Sequence, residues 1–302
     1  CDLTGEVPFI RDSIDSFDLL AKDNKSRIIH SCGFDSIPSD IGVFILQKFS
    51  VSKYKVPCDE VKLYVRSTRG GLSGGTIDSM INISEYIKNR PKLDGLLGNP
   101  YALDPTLRPF KSSDKSSLRT IKWDEEMMFW TAPFIMSGIN TRIVRRSNAL
   151  LNFQYGNNFR YNEVSSFSKG LLGFMKSLYL LMGIGLVKIF LSYSFSSWVI
   201  RKFFLPSPGQ GPSRNRRDEG HFKLLLIGKI DGEKKVSVTI TGDRDPGYAG
   251  TAKMLAEAAL SLLLEEKNIP KSYGILTPAT SFGDVIIDRL KNKGIIFKID
   301  EI

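Results

Sequence analysis

Apolar side chains recur at helical spacing near the start of the chain, where Ile10, Ile14 and Phe17 line one side of residues 7–22. Pro8 stands where a proline is tolerated, because its missing N–H falls in a first turn and would have no intrahelical partner. The run SRIIHSC at 26–32 reads as a short strand, and Ile41, Ile45 and Phe49 form a second helical stripe from Pro38 onward. Helix, strand, helix, with Gly33 at the strand's end, predicts part of a parallel α/β sheet, because parallel strands need crossover helices.

From Val61 the pattern changes to alternation, with Val61, Leu63 and Val65 set against Lys62, Tyr64 and Arg66, which predicts a half-buried strand. The runs 221–230 and 235–241 flank Asp231-Gly232 and predict a hairpin. A second, α+β domain built on an antiparallel sheet therefore follows the first. Two helices are expected to close the chain, over 248–266 and over 281–293, where Phe282, Val285, Ile286, Ile287 and Leu290 share a face. Residues 91–120, rich in proline, serine and charge, predict an irregular excursion. The boundaries implied are 1–50 for the first domain and 51–302 for the second, with an apolar insertion at 166–205.

The 42% hydrophobic and 25% charged fractions are those of a folded globular protein. A formal charge of +10 points to anionic partners: nucleic acid, phosphate-bearing cofactors or anionic lipid. Cys1, Cys32 and Cys58, with His30 and His221, have neither the even number nor the close spacing of a disulfide or zinc framework, so a reducing compartment and no metal site are expected. Basic and aromatic residues do not interleave as they do on nucleic-acid surfaces, so no nucleic-acid partner is expected. The first ten residues lack the charged and apolar regions of a signal peptide.

CGFDSIPSDIG at 32–42 sits at a strand end leading into a helix, the place where ligands bind in open α/β sheets. Gly33 permits the turn, and Asp35 and Ser36 are positioned to cap the helix; a purely structural turn is the competing reading. RGGLSGGTIDSM at 69–80 follows a strand, with Thr76 placed to cap a helix and Ser73 and backbone N–H groups free to grip an anion or carbonyl. A glycine-rich bulge is its equal alternative.

These blocks stand in one order with CDLTGE at 1–6, GDRDPGYAGTAKMLAEAAL at 242–260 and GILTPATSFGDVIIDRL at 274–290. Together they resemble the saccharopine dehydrogenase-like oxidoreductases, a family that includes trans-acting enoyl reductases of complex lipid synthesis. The resemblance implies a Rossmann-type sheet of which the chain holds the C-terminal remainder, a nicotinamide cofactor (NAD or NADP), and a lipid-like small-molecule substrate. It implies that Asp2, Leu3, Thr4, Gly33, Phe34, Asp35 and Ser36 border the nicotinamide end of the cofactor site, with Gly74, Gly75 and Thr76 across the cleft. Asp35 and Asp78 are the ionisable groups nearest that cleft, with Tyr248 of similar standing, but no catalytic acid is identified. His30 reads as a mid-strand core residue.

No G-x-G-x-x-G occurs in the 302 residues. The family's phosphate loop is expected to precede Cys1, so dinucleotide binding by these residues alone is expected to be weak. Two other readings stay open: a catalytically silent membrane or lipid-droplet protein of the same fold, and a chain shortened at its N-terminus, whose sheet edge would lack its partners.

Between Glu163 and Asp218 there is no acidic residue, while Lys169, Lys176, Lys188, Arg201, Lys202, Arg214, Arg216 and Arg217 carry positive charge. Within this window residues 177–200 contain one charge, Lys188, which splits the run into pieces too short to span a bilayer singly. A surface-lying or re-entrant segment competes with a span and with a buried helical hairpin. The expectation is association with a membrane or lipid-droplet surface through 169–204, at an intracellular membrane. A homo-oligomer is compatible with the chain.

Overall fold

A computed structural model describes residues 1–34, 36–70, 95–105, 118–192 and 211–302. Among these, the longer helices are α1 (Val7–Asp23), α2 (Ile37–Tyr54), α3 (Ser137–Leu150), α4 (Gly170–Ser192) and α6 (Thr251–Leu264). The shorter ones are α5 (Arg214–Asp218), α7 (Pro278–Phe282) and α8 (Val285–Lys291). The strands are β1 (Arg27–Ile29), β2 (Glu60–Arg69), β3 (Lys122–Asp124), β4 (Phe129–Pro133), β5 (Arg160–Phe167), β6 (His221–Ile230), β7 (Glu233–Gly242), β8 (Gly274–Leu276) and β9 (Ile295–Glu301). The protein is thus mixed α/β, as the patterning implies.

β1 and β8 form a 2-stranded parallel sheet, with Ile28 opposite Ile275. Segments at opposite ends of the chain therefore share this sheet. The other strands form a 7-stranded sheet in the order β3-β4-β5-β2-β6-β7-β9. All its pairings are antiparallel except β2 with β5, so the second sheet is mostly antiparallel, as expected, with one parallel pair.

Alternation along β2 sorts its side chains as expected. Val61, Leu63 and Val65 join the main core with Ile37, Ile41 and Leu46 of α2, Leu224 and Leu226 of β6, and Val238 and Ile240 of β7. Tyr64 faces the other side, where it packs with Phe129, Val164 and Ile227. The β6–β7 hairpin turns at Asp231 (φ 53°) and Gly232 (φ 83°), the left-handed pair that matches the twist of the flanking strands.

Several expectations need correction. In α1 the buried stripe is Val7, Ile10, Ile14 and Ala21, whereas Phe17 is exposed. The helix expected over 281–293 is two pieces, α7 and α8, separated at Gly283–Asp284, although Phe282, Ile286 and Leu290 are buried as foreseen. The chain does not close on helices, because β9 pairs with β7 along the sheet edge. Residues 95–105 of the excursion are pinned by buried guanidinium groups. Arg146 donates to the carbonyls of Leu103 (2.5 Å) and Ile275 (2.6 Å), and Arg11 donates to that of Asp104 (2.9 Å). Among the described residues no helix is long and apolar enough to cross a membrane.

Candidate active site

The short strand β1 ends against the chain's first residues. The Asp2 N–H donates to Ile29 O (3.0 Å), and the Cys32 N–H donates to Asp2 O (2.8 Å). Ser31 Oγ donates to Thr4 O (2.7 Å), and the Thr4 N–H donates to Asp2 Oδ1 (2.9 Å). The motif at 1–6 is thereby fixed along the C-terminal end of β1, beside the turn that opens α2.

At that turn Gly33 lies between two other motifs. A Cβ added there would come within 3.0 Å of both Leu3 Cδ2 and Thr251 Cγ2, so only a residue without a side chain fits without displacement. The Phe34 N–H donates to Thr251 Oγ1 (3.0 Å), which donates in turn to Pro246 O (2.8 Å). The Phe34 ring packs edge-on against Phe222, with centroids 4.9 Å apart. Ser36 occupies the position before α2 but does not cap it. Its buried hydroxyl donates to Asn140 Oδ1 (3.2 Å), and the early N–H groups of α2 bond to the Gly33 and Ser36 carbonyls instead.

Thr251 is held by the segment before α6. The buried Asp245 accepts from the N–H groups of Tyr248 (2.9 Å) and Ala249 (3.0 Å), closing a wide turn over Pro246–Gly250. Gly70, at the end of β2, lies beneath this turn, where an added Cβ would meet Asp245 Cβ and Pro246 Cδ at 3.0 Å. The opening of the glycine-rich motif thus reaches the same corner.

The motif at 274–290 supports α2 from below. Thr277 and Thr280 form a reciprocal cap on α7. Asp40 of α2 is fully buried and accepts from the Ala279 N–H (2.8 Å) and from Ser147 Oγ. Burial pushes its carboxyl up to about 7, against the lowering effect of hydrogen bonds from Ser147, Ala279 and Thr277. A second buried carboxyl, Glu163 of β5, accepts from Asn140 Nδ2 (2.9 Å) and Tyr161 OH (2.7 Å), and burial raises it as well. Ser36, Asn140, Glu163 and Tyr161 therefore form one polar chain from the turn into the core.

His30 lies just past β1 rather than in mid-strand. It is buried, but both ring nitrogens are engaged: Nδ1 with Asp2 Oδ2 at 2.7 Å and Nε2 with Ser13 Oγ at 3.1 Å. Burial works to raise the Asp2 carboxyl, yet the hydrogen bonds from His30 and the Thr4 N–H prevail and hold it below the usual range.

Of the residues singled out from the sequence, Asp2, Leu3, Thr4, Gly33, Phe34 and Ser36 are gathered at this corner, with the Ser36 side chain turned to the core. Asp35, Gly74, Gly75, Thr76 and Asp78 lie outside the described residues. One residue at the corner was overlooked, Thr251, while His30, read as a core residue, is indeed buried there with both ring nitrogens engaged. Thr251 directly follows the DPGYAG stretch that drew notice, but a helix-start threonine gives no sign that it bonds across to another motif. Among the described residues no group of three or more His, Cys, Asp and Glu side chains could hold a metal. A cofactor seated here would touch Leu3, Thr4, Gly33, Phe34 and Thr251.

No family model matches the chain. It is 36% identical over 304 aligned positions to a Mycobacterium tuberculosis protein provisionally named a trans-acting enoyl reductase, covering 97% of this chain and 72% of that protein. Trans-acting enoyl reductases of Mycobacterium ulcerans and Mycobacterium bovis are 34% and 33% identical, covering 98% of this chain and 72% of each relative.

Proposed function

The chain belongs to the trans-acting enoyl reductase family, and from that premise we propose that it is an NAD(P)-dependent oxidoreductase of lipid metabolism that reduces the carbon–carbon double bond of a lipid-like enoyl substrate. Its place among the saccharopine dehydrogenase-like oxidoreductases is part of the same proposal, supported by the five ordered sequence blocks.

The observation that carries the reading is Gly33, enclosed by Leu3 and Thr251 at the end of a parallel strand. With no side chain at Gly33, the motifs carrying Leu3 and Thr251 close against each other at the strand end, and this is where an open α/β sheet takes a ligand. The residues fit a nicotinamide group on that ground. When bound, such a cofactor supplies the hydride for a double-bond reduction.

The chain's own residues do the rest. Leu3, 41% exposed, and the half-buried Phe34 present apolar surface that excludes water beside the ring. Thr251 fixes the height of the turn through the Phe34 N–H. Asp2, held below the usual carboxylate range, stays ionised at neutral pH, so it orients His30 and does not act as the proton donor.

The test is titration of the full-length protein with NADH and with NADPH, followed by nicotinamide fluorescence, beside a Leu3→Glu variant, whose side chain is 41% exposed in the parent. Saturable enhancement with one cofactor, lost in Leu3→Glu at unchanged melting temperature, supports the proposal. Equal binding by the variant, or no binding of either cofactor by the parent, refutes it.

A further inference from the structure

We infer that one face of α4 is a docking surface for an anionic lipid bilayer, with the helix lying along the membrane rather than across it. The inference is independent of the proposed reductase activity.

Among the described residues, the helix is fixed to the protein through one side. Trp130 of β4 donates from Nε1 to Gly170 O (3.1 Å), and its ring meets Phe174 edge-on at 5.0 Å. Gly173 and Ser177 are buried on the same side as Phe174. A Cβ on Gly173 would fall 1.7 Å from Ser168 O, which shows how closely the helix is drawn against the chain that enters it.

The opposite side is apolar and open. Leu171, Met175, Tyr179, Met182 and Leu186 are each at least 51% exposed, and Leu172 beside them is 65% exposed. Spacings of four, four, three and four residues put the five on one line, about 22 Å long at the helical rise of ~1.5 Å per residue. Scattered exposed leucines are ordinary on a protein surface, whereas an ordered stripe of this length implies a covering partner.

Charge identifies the partner. Lys169 and Lys176 are exposed at the helix, and no acidic residue occurs between Glu163 and Asp218, a stretch that holds eight lysines and arginines. An apolar stripe on a helix that carries the exposed Lys169 and Lys176 at its start and no acidic residue in its own sequence matches the boundary between acyl chains and acidic headgroups. It matches poorly a second copy of this chain, which is itself basic at +10.

The experiment is co-sedimentation of the full chain with vesicles of equal parts phosphatidylcholine and phosphatidylserine, and with vesicles of phosphatidylcholine alone. The variants are the triple M175Q/M182Q/L186Q and the charge variant Lys176→Gln with Lys169→Gln. Expected are preference for the anionic vesicles, a loss of at least roughly tenfold in the triple variant, and a weaker, salt-sensitive loss in the charge variant. Melting temperatures should be unchanged, because all the substituted side chains are exposed. Equal binding by the triple variant, or no binding by the parent, overturns the inference. So does a parent dimer that the triple variant dissolves, since that would assign the stripe to a second copy of the chain.

Discussion

Asp40→Asn offers a quantitative test of how the candidate site is supported. In the folded chain the Asp40 carboxyl is fully buried among Ser147, Thr277 and the Ala279 N–H. Burial moves its titration from 3.8 to about 7. In the unfolded chain the same group loses its proton near 3.8. Between these values the folded state holds a proton that the unfolded state has released. The contribution of this group to stability is therefore complete below 3.8 and is lost as pH rises toward about 7. At 1.36 kcal/mol per pH unit, the loss is roughly 4 kcal/mol across the window.

Asparagine has the same shape and cannot titrate. Its carbonyl can accept from the Ala279 N–H, and its amide can donate to Ser147 Oγ or Thr277 Oγ1. Urea denaturation of parent and variant at half-unit steps from pH 4 to pH 8 measures the difference. The variant should gain on the parent steadily as pH rises and be the more stable protein near neutrality. A stability difference that is flat over this range would refute the burial argument and imply an ionised, fully solvated carboxylate.

Other perturbations probe the same corner. Thr251→Val removes the acceptor for the Phe34 N–H and the donor to Pro246 O; a loss of about 1–3 kcal/mol in chemical denaturation is expected. Nicotinamide binding should weaken with it. Asp245→Ala leaves the Tyr248 and Ala249 N–H groups without their carboxylate, so a further loss of about 1–3 kcal/mol is expected, read from the melting temperature. Gly42→Ala would place a Cβ 2.8 Å from Ile240 Cδ1 and 3.1 Å from Leu226 Cδ2. Overpacking of about 1–3 kcal/mol should outweigh the helix-propensity gain of about 1 kcal/mol, so the variant unfolds at lower urea.

The elements legible in the sequence were those whose side-chain period matched one face of burial. α1, α2, β2 and the β6–β7 hairpin followed directly from such periods and from the Asp231-Gly232 turn. β9 was missed because Ile295, Ile296 and Phe297 form a short apolar run with no alternation to distinguish strand from helix. α3 was missed for a different reason. Its buried face carries Asn140, Arg145, Arg146, Ser147 and Asn148, polar side chains buried because they bond to carbonyls and carboxylates of other elements. Hydrophobic patterning cannot register such a helix.

The candidate site divides along the same line. The motifs holding residues 2–4 and Gly33, Phe34 and Ser36 were recognisable in the sequence, and the structure sets these residues near the end of β1. The bond from Phe34 to Thr251 and the pairing of His30 with Asp2 join residues 217 and 28 positions apart, and no local spacing encodes them. Ser36 shows the converse: a strong helix-capping residue type whose hydroxyl is taken by a tertiary partner, Asn140.

The central claim is that this chain contributes the nicotinamide side of an enoyl-reducing site. Its most direct test is label transfer: the full-length protein is incubated with a trans-2-enoyl thioester and with NADH or NADPH carrying deuterium at the nicotinamide C4, each face labelled in turn. The account predicts deuterium in the saturated product from one face of one cofactor, with the transfer abolished in Leu3→Glu. No deuterium in the product from either face of either cofactor would contradict it.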